Sequence, residues 1–479
     1  MCGLIAISGT PHSAYEVFFG LMNLQHRGQD GAGILTVDAG LDYGFRIQRG
    51  SGLIESVFSE KTFKNLTGSA AIGHSRYATI GHNDPNLLQP FLDFESGIGL
   101  AHNGNIVNYY GLKQELDSQG IHLAAESDSA LILALLASRL RDKEINAENV
   151  FQAIEYCMGQ LVGSYSVLCL AKNGDIFGFR DPHGIRPLVF GKHSNGNNVY
   201  AMASETIALN FLGYESLEDV QPGEAVYISA QHGLSRRVVK HESYSPCMFE
   251  WVYFARVESE FGQRSVYEVR FQLGRILGEQ LKRDGIDADV VVPVPETSRV
   301  SAIALAEVLG IKFREVLIKN RYINRTFILD DQASRQEAIR RKLYPIAAEL
   351  KGKRVLIVDD SIVRGNTAQQ ILKLIRQAGA TEVTLVSTCP PIISPCYYGI
   401  DFPSPSELVA HDKTNEEIAT NLGADRVIYQ SLSGLLEALG QPNMCLGCLT
   451  GNYPTDVTSG LAFETMRLKD RATAKVKGC

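Results

Sequence analysis

Apolar and polar positions follow one pattern in the first half of the chain and another in the second. Up to about residue 240, short β-prone runs are separated by Gly, Asn and Asp turns. The runs are CGLIAIS at 2–8, SAAIGHSRYA at 69–78, GIGLAHNG at 97–104, SYSVLCLA at 164–171, DIFGFR at 175–180 and AVYIS at 225–229. Two helical stretches interrupt them. One lies near 128–141, with Asp128 at the end where a helix favours negative charge, and the other covers roughly 149–161. This pattern predicts an α+β sandwich. Past 260, longer helices alternate with short, wholly apolar strands. Helix 265–283 precedes strand 290–292 and helix 298–309. Strand 354–360 precedes helix 367–377 and strand 382–387. Thr414 and Glu417 form a capping box for helix 415–422, ahead of strand 426–429. That alternation predicts an open parallel α/β sheet. The expected division is 2–240, 241–449 and a polar, then basic, extension at 450–479.

Composition narrows the class. The chain has 479 residues, 45% hydrophobic and 21% charged, with a net charge of −7. It can bury large cores without staples. A negative balance argues against sequence-independent binding to nucleic acid. No run of eighteen apolar residues suits a membrane span, and the first residues lack a signal-peptide pattern, so a cytoplasmic protein is expected. Nine cysteines, an odd number, read as thiols, ligands or a nucleophile rather than as a disulfide framework.

Cys2 follows the initiator methionine. Removing Met1 would place a thiol and an α-amine of ordinary pKa ~7.7–8.0 on one residue, so the residue would carry its own base. A buried small residue starting a strand is an equally good reading from position alone. The neighbouring segments decide. LQHRGQDGAGI at 24–34, GHSRYAT at 73–79, AHNGNI at 101–106 and ESDS at 126–129 put polar and Gly positions beside apolar strands. Together with the Cys-Gly start they resemble the glutamine amidotransferases that use an N-terminal nucleophile, whose fold is an αββα sandwich. The resemblance implies that Cys2 attacks the glutamine amide and that Asn103 and Gly104 form the oxyanion hole. It also implies that Arg76 clamps the α-carboxylate, that Asp128 takes the ammonium, and that Arg27 and Gly28 line the pocket.

Residues 355–367, VLIVDDSIVRGNT, end a strand on two aspartates and open a helix from a small-residue loop. Such a loop offers N–H groups and hydroxyls to a phosphate, and paired carboxylates can accept from a vicinal diol. Neither dinucleotide-binding nor P-loop glycine spacings occur. The segment resembles the phosphoribosyl pyrophosphate motif of the phosphoribosyltransferases. By that resemblance Asp359 and Asp360 hold the ribose hydroxyls, and Ser361, Arg364, Gly365, Asn366 and Thr367 hold the 5′-phosphate. The segment 292–302, with Glu296 and Thr297, would meet the pyrophosphate. Ser298, Asp359 and Asp360 would bind Mg²⁺, and 319–345 would form a basic lid.

Both motifs in one chain resemble the family that transfers glutamine nitrogen to phosphoribosyl pyrophosphate, the first step of purine synthesis. Departures are Arg256-Val257-Glu258-Ser259, Asp331 and Leu343-Tyr344. Competing expectations are another amidotransferase with an N-terminal nucleophile, a regulatory protein that kept the phosphoribosyltransferase fold, or a chain with one degenerate half. Cys445-x-x-Cys448 needs two further thiolates for a tetrahedral zinc or a [4Fe–4S] cluster, and spacing leaves both open. The iron–sulfur branch of the resembled family implies a [4Fe–4S] cluster on Cys247, Cys396, Cys445 and Cys448, with Cys389 as a competing ligand. It also implies a homodimer or homotetramer inhibited by purine nucleotides.

Overall fold

The computed structural model describes residues 1–38, 44–78, 84–194, 198–319 and 343–460. The first half is a four-layer sandwich. Strand Gly3–Ser8 is the middle member of a seven-stranded antiparallel sheet, between Ala70–Arg76 and Tyr200–Ala203. A six-stranded antiparallel sheet faces it and contains Ile98–Ile106 paired with Gly163–Ala171. The two-residue period of the strands sorts the side chains. Leu4 and Ala6 meet Leu168 and Leu170 between the sheets. Ile5 and Ile7 turn the other way and share a core with Val17 and Leu21 of helix Ser13–Asn23. On the second sheet, Val167 and Cys169 face Leu131, Leu135 and Ile154 of helices Asp128–Leu140 and Ala147–Gln160. Each such aliphatic side chain contributes ~1.5–3 kcal/mol on burial, so the alternation itself selects the layers. Cys157 and Cys169 are fully buried in this outer core.

The second half carries a five-stranded parallel sheet. Its order is Lys312–Phe313, Val290–Pro293, Arg354–Asp359, Glu382–Ser387 and Arg426–Tyr429. Leu277, Leu281 and Leu305 of helices Val266–Arg283 and Arg299–Leu309 cover one face. Ile371, Ile375 and Leu422 of helices Asn366–Gln377 and Asn415–Leu422 cover the other. The expected capping box is present: Thr414 N–H donates to Glu417 Oε2 at 2.8 Å, and Glu417 N–H donates to Thr414 Oγ1 at 3.3 Å. Every helix and strand expected from the sequence forms, within two residues of its expected ends. Not anticipated were the buried strand Gly31–Val37, helix Ser13–Asn23 and a π-helix at Glu250–Phe254.

The halves share a core. Met1, Val107 and Ile185 pack with Met248, Trp251, Leu273, Tyr398 and Leu449. Residues after 450 join the same region, where Tyr453 Oη donates to Pro395 O at 2.7 Å. Strands Leu317–Lys319 and Leu343–Pro345 pair antiparallel and hold the two ends of the expected lid side by side. Residues 320–342, including Asp331, lie outside the described residues, as do Thr79 and Cys479. Among the described residues, no helix is long and apolar enough to cross a membrane.

Candidate active sites

Two cavities contain the expected chemistry. The first is lined by Cys2, Arg76, Tyr77, Gln89, His102, Asn103, Gly104, Glu126, Asp128 and, from the second half, Gly399. Cys2 precedes the central strand, and its N–H donates to Asn103 Oδ1 at 2.9 Å. That bond fixes the Asn103 amide and leaves Nδ2 as a buried donor with no partner. A buried N–H without a partner is costly, and one beside a thiol is ready for a developing oxyanion. Tyr77 N–H donates to Cys2 Sγ at 3.5 Å. Asp30 braces this turn: its carboxylate accepts from Ala78 N–H at 2.8 Å, and its own N–H donates to Arg76 O at 3.0 Å. Met1 is buried, and burial lowers its amine to about 6.

Arg76 and Asp128 supply opposite charges to this cavity. Asp128 opens helix Asp128–Leu140, whose N-cap Ser127 accepts from Ala130 N–H at 3.2 Å. Burial pushes the Asp128 carboxyl up. The nearby His102, 3.6 Å from Oδ1, and the Ser129 N–H outweigh it and hold the group below its usual range. His102 is itself held by a network that sequence reading missed. Gln89 Oε1 accepts from His102 N–H at 2.7 Å, and Gln89 Nε2 donates to Ser129 Oγ, which lies 3.2 Å from His102 Nδ1. The AHNG segment was the available signal for His102; nothing marked Gln89.

Arg27 and Gly28 are corrections. Neither lines the cavity. Arg27 is fully buried, its Nε donating to Glu205 Oε1 and its Nη2 to Glu250 Oε2 at 2.7 Å. A buried guanidinium requires such counter-charges, and the two glutamates turn the side chain away from the pocket. Gly28 lies flat against the strand carrying Arg76. A Cβ there would come within 2.5 Å of Ser75 O and Arg76 C, so this glycine shapes the wall from behind.

Glu205 joins the halves. It also accepts from Arg256 N–H at 2.9 Å and Ser259 Oγ at 2.6 Å, and His26 Nε2 lies 2.6 Å from Oε1. Burial pushes its carboxyl up, but Arg27 and His26 prevail and hold it well below the usual range. Glu250 in turn pairs with Arg186 at 3.3 Å.

The second cavity lies at the C-terminal ends of the parallel strands, where open α/β sheets bind ligands. Glu296, Thr297, Asp359, Asp360, Ser361, Arg364, Gly365, Asn366 and Thr367 all line it. Gly365 caps helix Asn366–Gln377 with φ +79°, which aims the first helical N–H groups at the loop, a ready site for phosphate. Thr297 Oγ1 donates to Asp360 Oδ2, and Ser361 Oγ donates to Asp360 Oδ1 at 2.7 Å. Burial, then the neighbouring carboxylate, pushes Asp359 well above its usual range. Burial raises Asp360 as well, with Arg270 opposing. Two buried, adjacent carboxylates offer the oxygen donors a hard cation needs beside substrate phosphates. Ser298 does not fit this set. It is fully buried, is absent from the cavity wall, and donates its hydroxyl to Val294 O within the loop. Unanticipated lining residues are Arg270 and, from the first half, His26, Gln29 and Tyr77; Tyr77 lines both cavities.

The thiols occupy a third place. Cys247, Cys445 and Cys448 are buried in the shared core, with Cys396 packed against it. Cys445 N–H donates to Pro246 O at 2.9 Å, and Cys448 O accepts from Ile393 and Ser394 N–H at 3.0 Å. Cys448 lies within electrostatic reach of Cys396, Cys247, Cys389 and Cys445. Burial pushes Cys247 up to about 11 and Cys445 and Cys448 well above the usual thiol range. Among the described residues, no group of three or more His, Cys, Asp or Glu is arranged to hold a metal ion. The donor chemistry, five thiols including Cys389 in one apolar corner, is of the kind that suits a thiolate-bound group.

Comparison with known proteins separates the same two halves. The glutamine amidotransferase domain family matches residues 74–210, and the phosphoribosyl transferase domain family matches 264–395. An amidophosphoribosyltransferase from Pseudomonas aeruginosa is 42% identical over 92% of this chain and 89% of its own. One from Methanocaldococcus jannaschii is 41% identical over 95% and 98%. The solved structure of the glutamine phosphoribosylpyrophosphate amidotransferase from B. subtilis, complexed with ADP and GMP, superposes with a TM-score of 0.85 at 38% identity, covering 95% of this chain and 98% of that one. With a glutaminase-like pocket and a ribose-phosphate pocket in one chain, and relatives matched over nearly their whole length, this chain belongs to the amidophosphoribosyltransferase family.

Proposed function

We propose a division of work between the two cavities for this glutamine-dependent amidophosphoribosyltransferase of purine biosynthesis. With Met1 removed, the Cys2 α-amine stands where the Cys2 peptide N–H now donates to Asn103. The amine takes the thiol proton, and Sγ bonds to the glutamine amide carbon. The carbonyl oxygen becomes an oxyanion that accepts from Asn103 Nδ2 and Gly104 N–H. The proton passes to the leaving nitrogen, ammonia departs, and water hydrolyses the thioester to glutamate. Arg76 and Asp128 orient the glutamine α-carboxylate and α-amine. The observation that carries this reading is the orphan Asn103 Nδ2 in the cavity that Cys2 also lines.

In the second cavity Asp359 and Asp360 hold the ribose hydroxyls, and Ser361, Arg364, Gly365, Asn366 and Thr367 hold the 5′-phosphate. Glu296 and Thr297 sit at the pyrophosphate side. Ammonia forms the new C–N bond at C1 as the C–O bond to pyrophosphate breaks, giving 5-phosphoribosylamine. Asp359 and Asp360 would hold Mg²⁺, which would supply neutralisation of the pyrophosphate charge. Tyr77, shared by both cavities, marks the short route between them. A [4Fe–4S] cluster held by Cys247, Cys396, Cys445 and Cys448 would tie the start of the second half to its end. Purine nucleotides would act as feedback inhibitors of a homodimer or homotetramer in the cytoplasm.

Product analysis tests the coupling. Glutamine with phosphoribosyl pyrophosphate should yield glutamate and phosphoribosylamine in equal amounts, and glutamine alone far less glutamate. Independent glutamate release, with no phosphoribosylamine, would overturn it. For the thiols, protein made anaerobically should carry about four irons, lost in Cys396→Ser and kept in Cys389→Ser. Stoichiometric zinc without iron would overturn the cluster.

A further inference from the structure

We propose that the ribosyl-transfer half holds the oxyanion hole of the glutaminase half in register through Tyr397, Tyr398 and Gly399, with Gly399 as the positioning residue. This rests on the assignment of Asn103 and Gly104 as the oxyanion donors.

Strand Ile98–Ile106 carries both donors, and in its register Asn105 lies opposite Ser164 and Gly104 opposite Tyr165. The cross-strand pair Asn105 and Ser164 reaches over to two successive carbonyls of the other half. Asn105 Nδ2 donates to Tyr397 O at 2.8 Å, and Ser164 Oγ donates to Tyr398 O at 2.9 Å. Arg186 adds two more donors to Tyr398 O, its Nε at 2.9 Å and its Nη2. All three donor residues are buried. Buried donors of this kind need these acceptors, so the first half meets its hydrogen-bonding requirement only with the second half docked.

The next residue is the contact itself. Gly399 has φ +94°, and a Cβ built on it would lie 2.9 Å from Gly104 O and 3.1 Å from Gly104 C. Gly399 therefore seats backbone on backbone against the peptide group that follows the oxyanion donor, and it lines the glutamine cavity beside Cys2. Its own half makes it a rigid abutment. Tyr398 Oη is held by Thr455 N–H at 3.0 Å and by Thr455 Oγ1 at 2.8 Å, and the Tyr397 ring packs edge-on against Tyr453 at 5.0 Å between centroids. A donor aimed at developing charge loses much of its effect when displaced by about 1 Å, so this seat governs the chemical step rather than glutamine binding.

The test is Gly399→Ala in the full chain, with Asn105→Ala as a second variant that removes a tie without adding bulk. Glutamine-dependent kcat should fall by about 10²-fold for Gly399→Ala, the loss typical of one oxyanion donor. The fall for Asn105→Ala should be about 10-fold, part of that loss. KM for glutamine should stay within about threefold, since only the transition state loses binding. The γ-aldehyde analogue of glutamine, whose thiol adduct carries the oxyanion, should lose affinity by the same factor as kcat, while glutamate should bind as before. Wild-type aldehyde affinity in Gly399→Ala would overturn the inference. So would a loss confined to KM, or a parallel loss of ammonia-dependent synthesis, which would report a blocked pocket or a damaged fold. Cys2→Ser is run alongside. If it keeps glutamine-dependent activity, the reading of the pocket fails instead.

Discussion

In the glutamine pocket Cys2, Asn103 and Gly104 sit on or beside antiparallel strands, and the half-buried Asp128 carboxylate is already compensated. Asp128 has His102 and the Ser129 N–H and is held below its usual range. In the ribose-phosphate pocket the lining groups sit at the ends of parallel strands and on the loops after them, and the adjacent Asp359 and Asp360 are both pushed up by burial. The difference follows the ligands. A zwitterionic amino acid brings one charge of each sign to a site that needs no further neutralisation. A sugar polyphosphate arrives with hydroxyls, and further donors are what a carboxylate pair still raised by burial lacks. One pocket has its carboxylate balanced before its substrate enters, and the other gains that balance from the substrate.

The largest expected effect separates the pockets outright. Cys2→Ser should reduce glutamine-dependent synthesis by at least about 10³-fold, because the serine hydroxyl is a far weaker nucleophile. Ammonia-dependent synthesis should stay within about twofold of wild type. Initial rates with each nitrogen source decide it, and loss of both with the fold intact would merge what the comparison separates. Mass spectrometry of the active protein should show Met1 absent.

Next comes the other pocket. Asp359→Asn combined with Asp360→Asn should lower synthesis from either nitrogen source by about 10²-fold, a loss of ~2.7 kcal/mol of transition-state stabilisation. Unchanged ammonia-dependent kinetics would break the assignment of the pair to the ribose.

Glu205 links the two halves. Its fully buried charge pairs with Arg27 and accepts from Arg256 and Ser259. Glu205→Gln leaves Arg27 with Glu250 alone and should cost about 3 kcal/mol, the lower end for breaking a buried pair. Because the folded carboxyl lies below its unfolded value, the stability that Glu205 contributes is present above about pH 4.3 and lost as pH falls further. Denaturant titrations of wild type and variant should therefore converge in acid. Curves that remain parallel there would remove Glu205 from the acid response.

The smallest effect sharpens the contrast in compensation. Asp359 is raised in the folded state, so the ligand-free protein loses stability as pH climbs above the unfolded value of ~3.9. Asp359→Asn should raise Tm by a few degrees at pH 7 in the absence of ligands, with the gain vanishing near pH 4. Asp128→Asn, in the compensated pocket, should show no such gain. Equal behaviour of the two variants would erase the distinction.

The strand alternation at 2–8 and 164–171, the helix patterns and the capping box at Thr414 were readable because side-chain period and local hydrogen bonds are properties of adjacent residues. The same holds for the phosphate loop 361–367, where strand, turn and helix N-terminus are contiguous. The strand Gly31–Val37 was missed because its glycines weaken the β signal, and burial beneath Leu88 and Gln89 favours them there. Cys2, Arg76, Asn103, Gly104 and Asp128 were singled out through their segments, and the fold brings all five to one cavity. Arg27 and Ser298 belong to equally suggestive segments, yet their partners Glu205, Glu250 and Val294 O turn them away. The sequence by itself determined which segments become strands and helices and which residues carry the thiol, the carboxylates and the small-residue loop before a helix. Only the tertiary structure decided which of those groups reach a cavity, and that Gly399, Gln89 and Tyr77 join them. A side chain's direction depends on counter-charges and hydrogen-bond partners that can lie more than two hundred residues away, as Glu250 does from Arg27, and no local pattern encodes them.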